Sequence, residues 1–391
     1  MARAFANSER ISMSYDNTAK PETSSWGDWL EDAQSGVDRT LYRLQHRGLA
    51  LSTAIAYRLW SSLLRPGGMR PDATALRCLA RRFERLLARD LENVERGKYP
   101  RALLYQMPLA GYLKVVPEAL LEAPRILWRS YRNGYDEVPA SVERDAYPRY
   151  YLRTFHWQTD GWLSARSARL YDASVEFLFG GVADVMRRMA IPPVVDSVDG
   201  ALRPRVLDVG CGTGRFLLQL GRVLPDAKLY GIDLSPYYVR HARRLVRALD
   251  DVTISVENAE HMPWADDHFD AVTSVFLFHE LPPRTRRAVA REMHRVLKPG
   301  GRLVICDSAQ VADSGELKEV LSAFPDAYHE PYFRGYLRDD LAALLEQCGL
   351  VVEDVEPHLV SKVVVARKPH ANGEGQARGK SKYSTKRASR K

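Results

Sequence analysis

The sequence predicts an α/β chain in which a mostly parallel sheet is wound on both faces by helices and is preceded by an all-helical stretch. Three observations carry that reading. From residue 201 onward, short apolar runs alternate with segments whose apolar residues recur at helical spacing, a pattern that needs right-handed crossovers and a parallel sheet. A turn of alternating glycines, Gly210-Cys211-Gly212-Thr213-Gly214, joins the first such strand to the first such helix. An acid, Asp233, closes the second strand 23 residues after Gly210.

Residues 1–25 are rich in Ser, Asn and Thr and are expected to be disordered. From Trp26, apolar residues at Trp29, Leu30, Ala33, Val37, Leu41 and Leu44 have helical spacing, and Gly48 is expected to end that helix. A second helix spans 50–64, stopped by Pro66-Gly67-Gly68. A third carries Leu76, Leu79, Phe83, Leu86, Leu87, Leu91 and Val94 and ends at Gly97. Two shorter helices are expected to open at Pro117 and Pro124, because proline suits a first turn. With no strand signal before residue 145, residues 26–145 read as one all-helical domain. The Arg81, Arg82, Arg85, Arg89 run favours a solvated helix face over a binding patch. Trp128, Tyr131 and Tyr135 beside Arg125, Arg129 and Arg132 fit a lipid interface, although packing against the core is the commoner fate of such residues.

Residues 147–163 are the most aromatic stretch of the chain. Ser164 then caps a helix with Leu170, Tyr171, Val175, Leu178 and Phe179 turned inward. Pro192-Pro193 and the residues up to Gly200 read as a linker. In the α/β region, strands are expected at 205–209, 228–232, 252–256, 270–276 and 301–307. Helices are expected at 214–224, 236–249, 283–296 and 337–347. The last two apolar runs, 351–355 and 360–366, are joined too closely for a crossover and must pair antiparallel. Residues 369–391 are a low-complexity basic tail expected to be disordered.

At 391 residues with 45% hydrophobic content, the chain is long enough for two folding units with real cores. The net charge of +8 is misleading until located. Residues 370–391 hold seven basic residues against one acid, Glu374, so +6 belongs to the tail and about +2 to everything else. Cys78, Cys211, Cys306 and Cys348 show neither metal spacing nor a disulfide framework, so no metal is expected. The first 25 residues lack an apolar export segment, and no apolar run is long enough to cross a membrane. A cytoplasmic location, with peripheral membrane contact as a secondary reading, follows from these.

The ordered set Val206-Leu207-Asp208-Val209-Gly210-Cys211-Gly212-Thr213-Gly214, then Asp233, then Phe269-Asp270-Ala271-Val272, then Leu297-Lys298-Pro299-Gly300-Gly301 is more specific than any one of its parts. Its G-x-G-x-G spacing differs from the G-x-G-x-x-G of dinucleotide folds. Over residues 201–368 the set resembles the class I S-adenosylmethionine-dependent methyltransferases, close to the ubiquinone/menaquinone-biosynthesis branch. That resemblance implies a Rossmann-like seven-stranded sheet, mostly parallel with the last strand antiparallel, and S-adenosylmethionine as cofactor. It implies that Asp208 and the backbone of Gly210, Cys211, Gly212, Thr213 and Gly214 meet the methionine end. Asp233 then takes the ribose hydroxyls, Leu234 packs on the adenine, and Asn258, Ala259 and Glu260 lie at its edge. Asn258 stands where the family usually has an acid. Phe276 to His279 fall at the carboxyl end of the fourth strand, where open sheets bind ligands.

By the same resemblance, residues 146–200 cap the cofactor site, an interdomain aromatic staple being the equally weighted alternative. His156, Asp160, Trp162, His279, Tyr328 and Tyr332 are the acceptor-pocket candidates. His279 titrates near neutrality and is the best candidate general base, with a loop-fixing role at least as well supported. The Asn/Asp-Pro-Pro-Tyr motif of amino-methyltransferases is missing; residues 276–281 read Phe-Leu-Phe-His-Glu-Leu instead. The expected activity is therefore methyl transfer to carbon or oxygen of a small, hydrophobic acceptor. The alternatives are an RNA or protein methyltransferase recruited through the basic tail, by weak nucleic-acid or anionic-membrane contact, and a non-catalytic cofactor-binding module.

Overall fold

The computed structural model describes residues 38–55 and 72–370. The expectations for residues 1–25, for the helix start at Trp26, for the turn at 66–68 and for the tail beyond residue 370 lie outside these. From Gln45 onward the chain clusters into one compact unit, and the architecture below is of that unit.

Seven strands form one sheet: β1 (Arg205–Val209), β2 (Lys228–Asp233), β3 (Val252–Val256), β4 (Phe269–Val275), β5 (Leu297–Ser308), β6 (Val351–His358) and β7 (Ser361–Arg367). Their spatial order is β3-β2-β1-β4-β5-β7-β6. The first five are parallel, and β7 runs antiparallel to both β5 and β6. A tight turn joins β6 to β7, which slots in beside β5. Central strands carry apolar residues on both faces: Val206, Leu207, Val209, Val272, Leu303 and Ile305 are fully buried. That is why they read as continuous apolar runs rather than alternations. The strand order reverses at β1 and β4, which opens a crevice above their carboxyl ends.

The helical half departs from expectation in four places. Residues 38–55 are continuously helical, so Gly48 does not end a helix; an interior glycine costs only about 1 kcal/mol relative to alanine. Helix α1 is used here for 38–55, α2 for Ala73–Glu95 and α3 for Leu109–Arg132. Pro117 and Pro124 lie inside α3 rather than opening two helices. Each removes one helical N–H, and the carbonyls so released belong to the exposed Leu113 and Leu120, where solvent replaces the bond. Residues 191–198 are not a linker but a helix with prolines in its first turn, burying Ile191, Val194 and Val198. The segment after β5 carries helices where none is expected between 307 and 337. It holds three helices, Val311–Ser314, Lys318–Tyr328 and Phe333–Arg338, before the last one, Leu341–Gln347, capped by Asp340.

The arginine run of α2 is a solvated face only at Arg81 and Arg85, which are exposed, while Arg82 and Arg89 are half-buried. Arg82 donates to the backbone oxygens of Leu359, Asp313 and Ser314. Arg81 pairs with Glu316, and Arg89 with Glu92 and Glu356. These contacts fasten α2 to the end of the sheet. Cys78, Cys211, Cys306 and Cys348 are free thiols, three of them buried.

Candidate functional site

The turn after β1 is shaped by what its glycines lack. Gly212 has φ +54°, and a Cβ there meets nothing within 4 Å. The left-handed backbone leaves open space on that side and aims the Gly212 N–H at Asp233 Oδ2, 3.0 Å away. Gly214 has a different task. At φ +80°, a Cβ there meets Ala242 Cβ at 2.9 Å, so its smallness lets the helix Arg215–Val223 lie against the helix Pro236–Leu245.

Two acids stand behind this turn. Asp208 is buried and accepts from Thr273 Oγ1 at 2.9 Å on the neighbouring strand; burial pushes its carboxyl up to about 7. Asp233 accepts from Gly212 N through one oxygen and from Ser235 N, at 2.8 Å, through the other. Burial raises it to about 6, against the pull of those two donors. Each carboxylate oxygen has two acceptor positions, so Asp233 keeps acceptor capacity on the open side.

Asp208, Gly210, Cys211, Gly212, Thr213, Asp233 and Phe276 line one part of a cleft, with Tyr151, Trp162, Tyr171 and Arg187 among the residues opposite. A second part is lined by Asp233, Leu234, Asn258, Ala259, Leu277 and Leu281, with Tyr150 and Phe155 opposite. Gly210, Asp233, Leu277 and Glu280 border both parts, so the two are continuous. Asn258 turns its Oδ1 back to accept from Glu260 N at 2.9 Å, which fixes the loop after β3. Glu260 itself is turned away from the cleft lining and accepts from Tyr150 Oη at 2.9 Å, latching the aromatic segment to that loop.

The aromatic stretch 147–163 folds over the sheet end. Phe155, Trp162 and Tyr238 form a buried cluster with Tyr151, Tyr171 and Tyr332 against it. Trp162 meets Tyr171 and Tyr238 edge-on at 5.4 and 5.5 Å, and its carbonyl accepts from Ser235 Oγ at 2.5 Å. Ser164 caps the following helix, Ala165–Leu178, by accepting from Ser167 N. Phe276, at the end of β4, takes φ +57°, a costly conformation for a bulky residue. It stacks on Phe179 at 6.1 Å.

Beyond Trp162 lies a buried knot of charge assembled from three distant segments. His156 Nε2 is 2.9 Å from Glu330 Oε1 and 3.5 Å from Glu280 Oε1. Burial alone lowers the His156 pKa, but the charges of Glu330 and Glu280 outweigh it and lift the imidazole to about 10. Burial also raises Glu280, opposed by its bond from His156. His279 does not border the cleft. It donates from Nδ1 to Asp307 Oδ1 at 2.7 Å, and although burial lowers the pKa of His279, that carboxylate outweighs it and raises the imidazole to about 9. Asp307 Oδ2 meanwhile accepts from Phe278 N, so the Asp307–His279 pair pins the turn after β4. Glu280, one residue on, is the side chain that reaches the cleft.

Of the acceptor candidates, the structure brings Trp162 to the cleft wall, His156 onto Glu280, and Tyr332 against Phe155 at 6.3 Å. Tyr328 packs against Phe324 instead, its ring tilted by 30° at 4.7 Å, and Asp160 occupies a positive-φ turn position; neither lines the cleft. Sequence reasoning missed Glu280, Glu330, Asp307, Arg187, Tyr150 and Tyr151. Glu280 was within reach, adjacent to a named histidine at a strand end. Glu330 and Asp307 carried no local signal.

The residues present fit an adenosyl sulfonium with an amino-acid tail. Asp233 offers carboxylate oxygens to a diol, Leu234, Ala259 and Leu281 offer an apolar slot for a flat ring, and the open space at Gly212 admits a close backbone approach. Arg187, buried beside Asp184 at 2.8 Å, brings a cation to the other end, where a ligand carboxylate would lie.

Residues 206–301 match the family described as Methyltransferase domain. Methyltransferase GfsG of Streptomyces halstedii is 35% identical over 160 residues, 40% of this chain and 55% of that protein; the match thus spans about half its length. The demethylmenaquinone methyltransferase of Geobacillus kaustophilus is 29% identical over 197 residues, 45% of this chain and 79% of that protein. The ubiquinone/menaquinone biosynthesis C-methyltransferase UbiE of Geotalea daltonii is 33% identical over 141 residues, covering 35% and 57%. Among solved structures, the [4+2]-cyclase SpnF is similar over 47% of this chain and 81% of its own, with 22% identity and a TM-score of 0.36.

Proposed function

We propose that this chain, whose residues 206–301 are part of a class I S-adenosylmethionine-dependent methyltransferase domain, methylates carbon or oxygen of a small, hydrophobic acceptor. The observation that carries this reading is the continuity of the Asp233 cleft with a wall of Trp162, Tyr171 and Phe276 that ends on Glu280. Relatives named for menaquinone and ubiquinone biosynthesis support a quinol-type or phenolic acceptor.

S-adenosylmethionine, when bound, supplies a methyl group on a cationic sulfur, so displacement needs alignment and dryness more than further activation. Asp233, Leu234, Asn258 and Ala259 would hold the adenosine, and Arg187 with the Gly210–Gly212 backbone would hold the amino-acid end. Tyr151, Trp162 and Tyr171 exclude water from the space above.

Glu280 is the proton acceptor facing that space. Its raised pKa brings a carboxylate closer to the range useful for deprotonating a phenol or enol. His156, held protonated by Glu330 and Glu280, fixes the Glu280 carboxylate through Nε2. His279 is a positioning residue, since the Asp307 carboxylate keeps its ring charged near neutrality and the ring sets the turn that carries Glu280. This reading takes Glu280 rather than His279 as the general base.

Calorimetry with S-adenosylmethionine, followed by a methyl-transfer panel of phenols, quinols and lipids, tests the reading. No donor binding would overturn it. The alternative of a basic tail recruiting RNA or protein concerns residues 371–391, outside the described ones. Removing them is expected to leave small-molecule methylation unchanged, and loss of transfer on truncation would favour the alternative.

A further inference from the structure

Helix α3 is docked backwards. Its acids, Glu118 and Glu122, are the only two in the helix and face inward. Glu118 meets Arg166 and Arg169 at 3.2 and 2.8 Å, and the fully buried Glu122 meets Arg166. The helix is thus held to its neighbour, Ala165–Leu178, by ion pairs. The opposite face is apolar and exposed: Leu113 is 70% accessible, Leu120 64%, Leu121 74%, Trp128 58% and Tyr131 77%, with Leu109 and Val116 on the same stripe. Positions 109, 113, 116, 120, 128 and 131 follow one side of an α-helix. In a helix of this length they form a band about 33 Å long. Among the described residues nothing covers it.

The charges on and beside that band are cations. Lys114 is exposed. Arg125 is 64% exposed although it leans on Glu122, and Arg132 is 52% exposed although it touches Glu137. Arg132 also lies over the Trp128 ring at 5.1 Å. No helix among the described residues is long and apolar enough to cross a membrane, and α3 carries Glu118, Glu122 and Arg129 along its inner side. An apolar stripe rimmed by Lys and Arg, with Trp and Tyr at one end, is the pattern that lies flat in the headgroup region.

We propose that α3 is a membrane-docking surface that seats this chain on anionic lipid, with Leu113, Leu120, Leu121, Trp128 and Tyr131 in the interface and Lys114, Arg125 and Arg132 at the phosphates. Charge decides between a bilayer and a second copy of the chain. Two α3 faces brought together oppose cation to cation, whereas an anionic surface neutralises them. The docking surface is continuous with the site. Gly134 and Tyr135, just past the end of α3, accept from Thr154 at 2.8 and 2.9 Å. Arg129 donates to Thr159 at 3.3 Å, and Tyr135 stacks on His329 at 4.4 Å. The loop that bears His156 is therefore tied to the end of the docked helix.

The test is co-sedimentation of the full chain with vesicles of phosphatidylcholine alone and of phosphatidylcholine mixed with phosphatidylglycerol. Binding is expected only with the anionic vesicles and is expected to weaken with salt. Leu113→Glu with Leu120→Glu is expected to lower partitioning about a hundredfold with the thermal midpoint unchanged. Removal of residues 371–391 is expected to leave most of the binding in place. Three results each overturn the proposal. One is binding that survives the double substitution but is lost with the tail. Another is a dimer in light scattering that Leu120→Glu dissociates, with no vesicle binding. The third is a fall in thermal midpoint in the double variant, which would mean that the chain itself buries this face. Lys114→Glu with Arg125→Glu reads the charge half separately, since neither is packed in a core, and unchanged anionic-vesicle binding there also counts against it.

Discussion

The two walls of the cleft are built on opposite principles. The lower wall, from Asp208 through the glycine turn to Asp233, Leu234, Asn258 and Ala259, is made of strand ends and backbone N–H groups. Each of its parts is positioned by residues within one βαβ unit or an adjacent strand. The upper wall takes Tyr151 and Trp162 from the aromatic segment and Glu280 from the turn after β4, and behind Glu280 lie His156 from the aromatic segment and Glu330 from the helical insertion after β5. His156 stands 2.9 Å from Glu330 and 3.5 Å from Glu280, although 124 residues of chain separate it from Glu280 and 50 separate Glu280 from Glu330. The lower wall is specified by local pattern; the upper wall is specified by how distant segments close.

The largest effect expected is at the lower wall. Asp233→Ala removes a carboxylate and strands the Gly212 and Ser235 N–H groups, so affinity for S-adenosylmethionine should fall about a hundredfold or more by calorimetry. Unchanged affinity would leave the lower wall without its assigned ligand. Glu280→Gln should lower kcat by about 10²–10⁴ while donor affinity moves only a few-fold. An equal loss in both would move Glu280 from the upper wall to the lower.

The walls should also separate in pH. Asp208 and Asp233 have pKa values raised above the ordinary carboxylate value, so the folded chain holds protons that the unfolded chain has released. Their contribution to stability therefore falls as pH rises from about 4 through 6 and 7. His156 and His279 are raised too, and their pairing stabilises fully below pH 6.5 and is lost as pH rises through about 10 and 9. Melting of the ligand-free chain across pH should show both declines, and Glu330→Gln should flatten the upper one. A Glu330→Gln curve parallel to that of the parent chain would show that the His156 pair contributes nothing. The smallest effect is expected from Asn258→Asp. A carboxylate oxygen can accept from Glu260 N as the amide does, so donor affinity should stay within about threefold, and a larger change would assign Asn258 a direct ligand contact.

Some of this was legible in one dimension. Apolar runs that must be buried on both faces, a turn only glycine tolerates, and an acid at a strand end are local consequences of backbone sterics and hydrophobic burial. They fixed the sheet, its order-reversing crevice and the residues Asp208, Gly212, Asp233 and Leu234. Tertiary context overrode local signals elsewhere. Pro117 and Pro124 did not break α3, because the carbonyls they release are at exposed positions, and Pro192 and Pro193 opened a buried helix instead of a linker.

Tertiary structure alone decided the His156, Glu280 and Glu330 cluster and the outward face of α3. A glutamate at residue 330 has no sequence feature that announces a partner at 156, because the energy that joins them arises only when both are taken out of water together. The same holds for α3. Its sequence shows an amphipathic helix, but the Arg166 and Arg169 side chains on its neighbour draw Glu118 and Glu122 inward and leave Leu113, Leu120 and Leu121 outside.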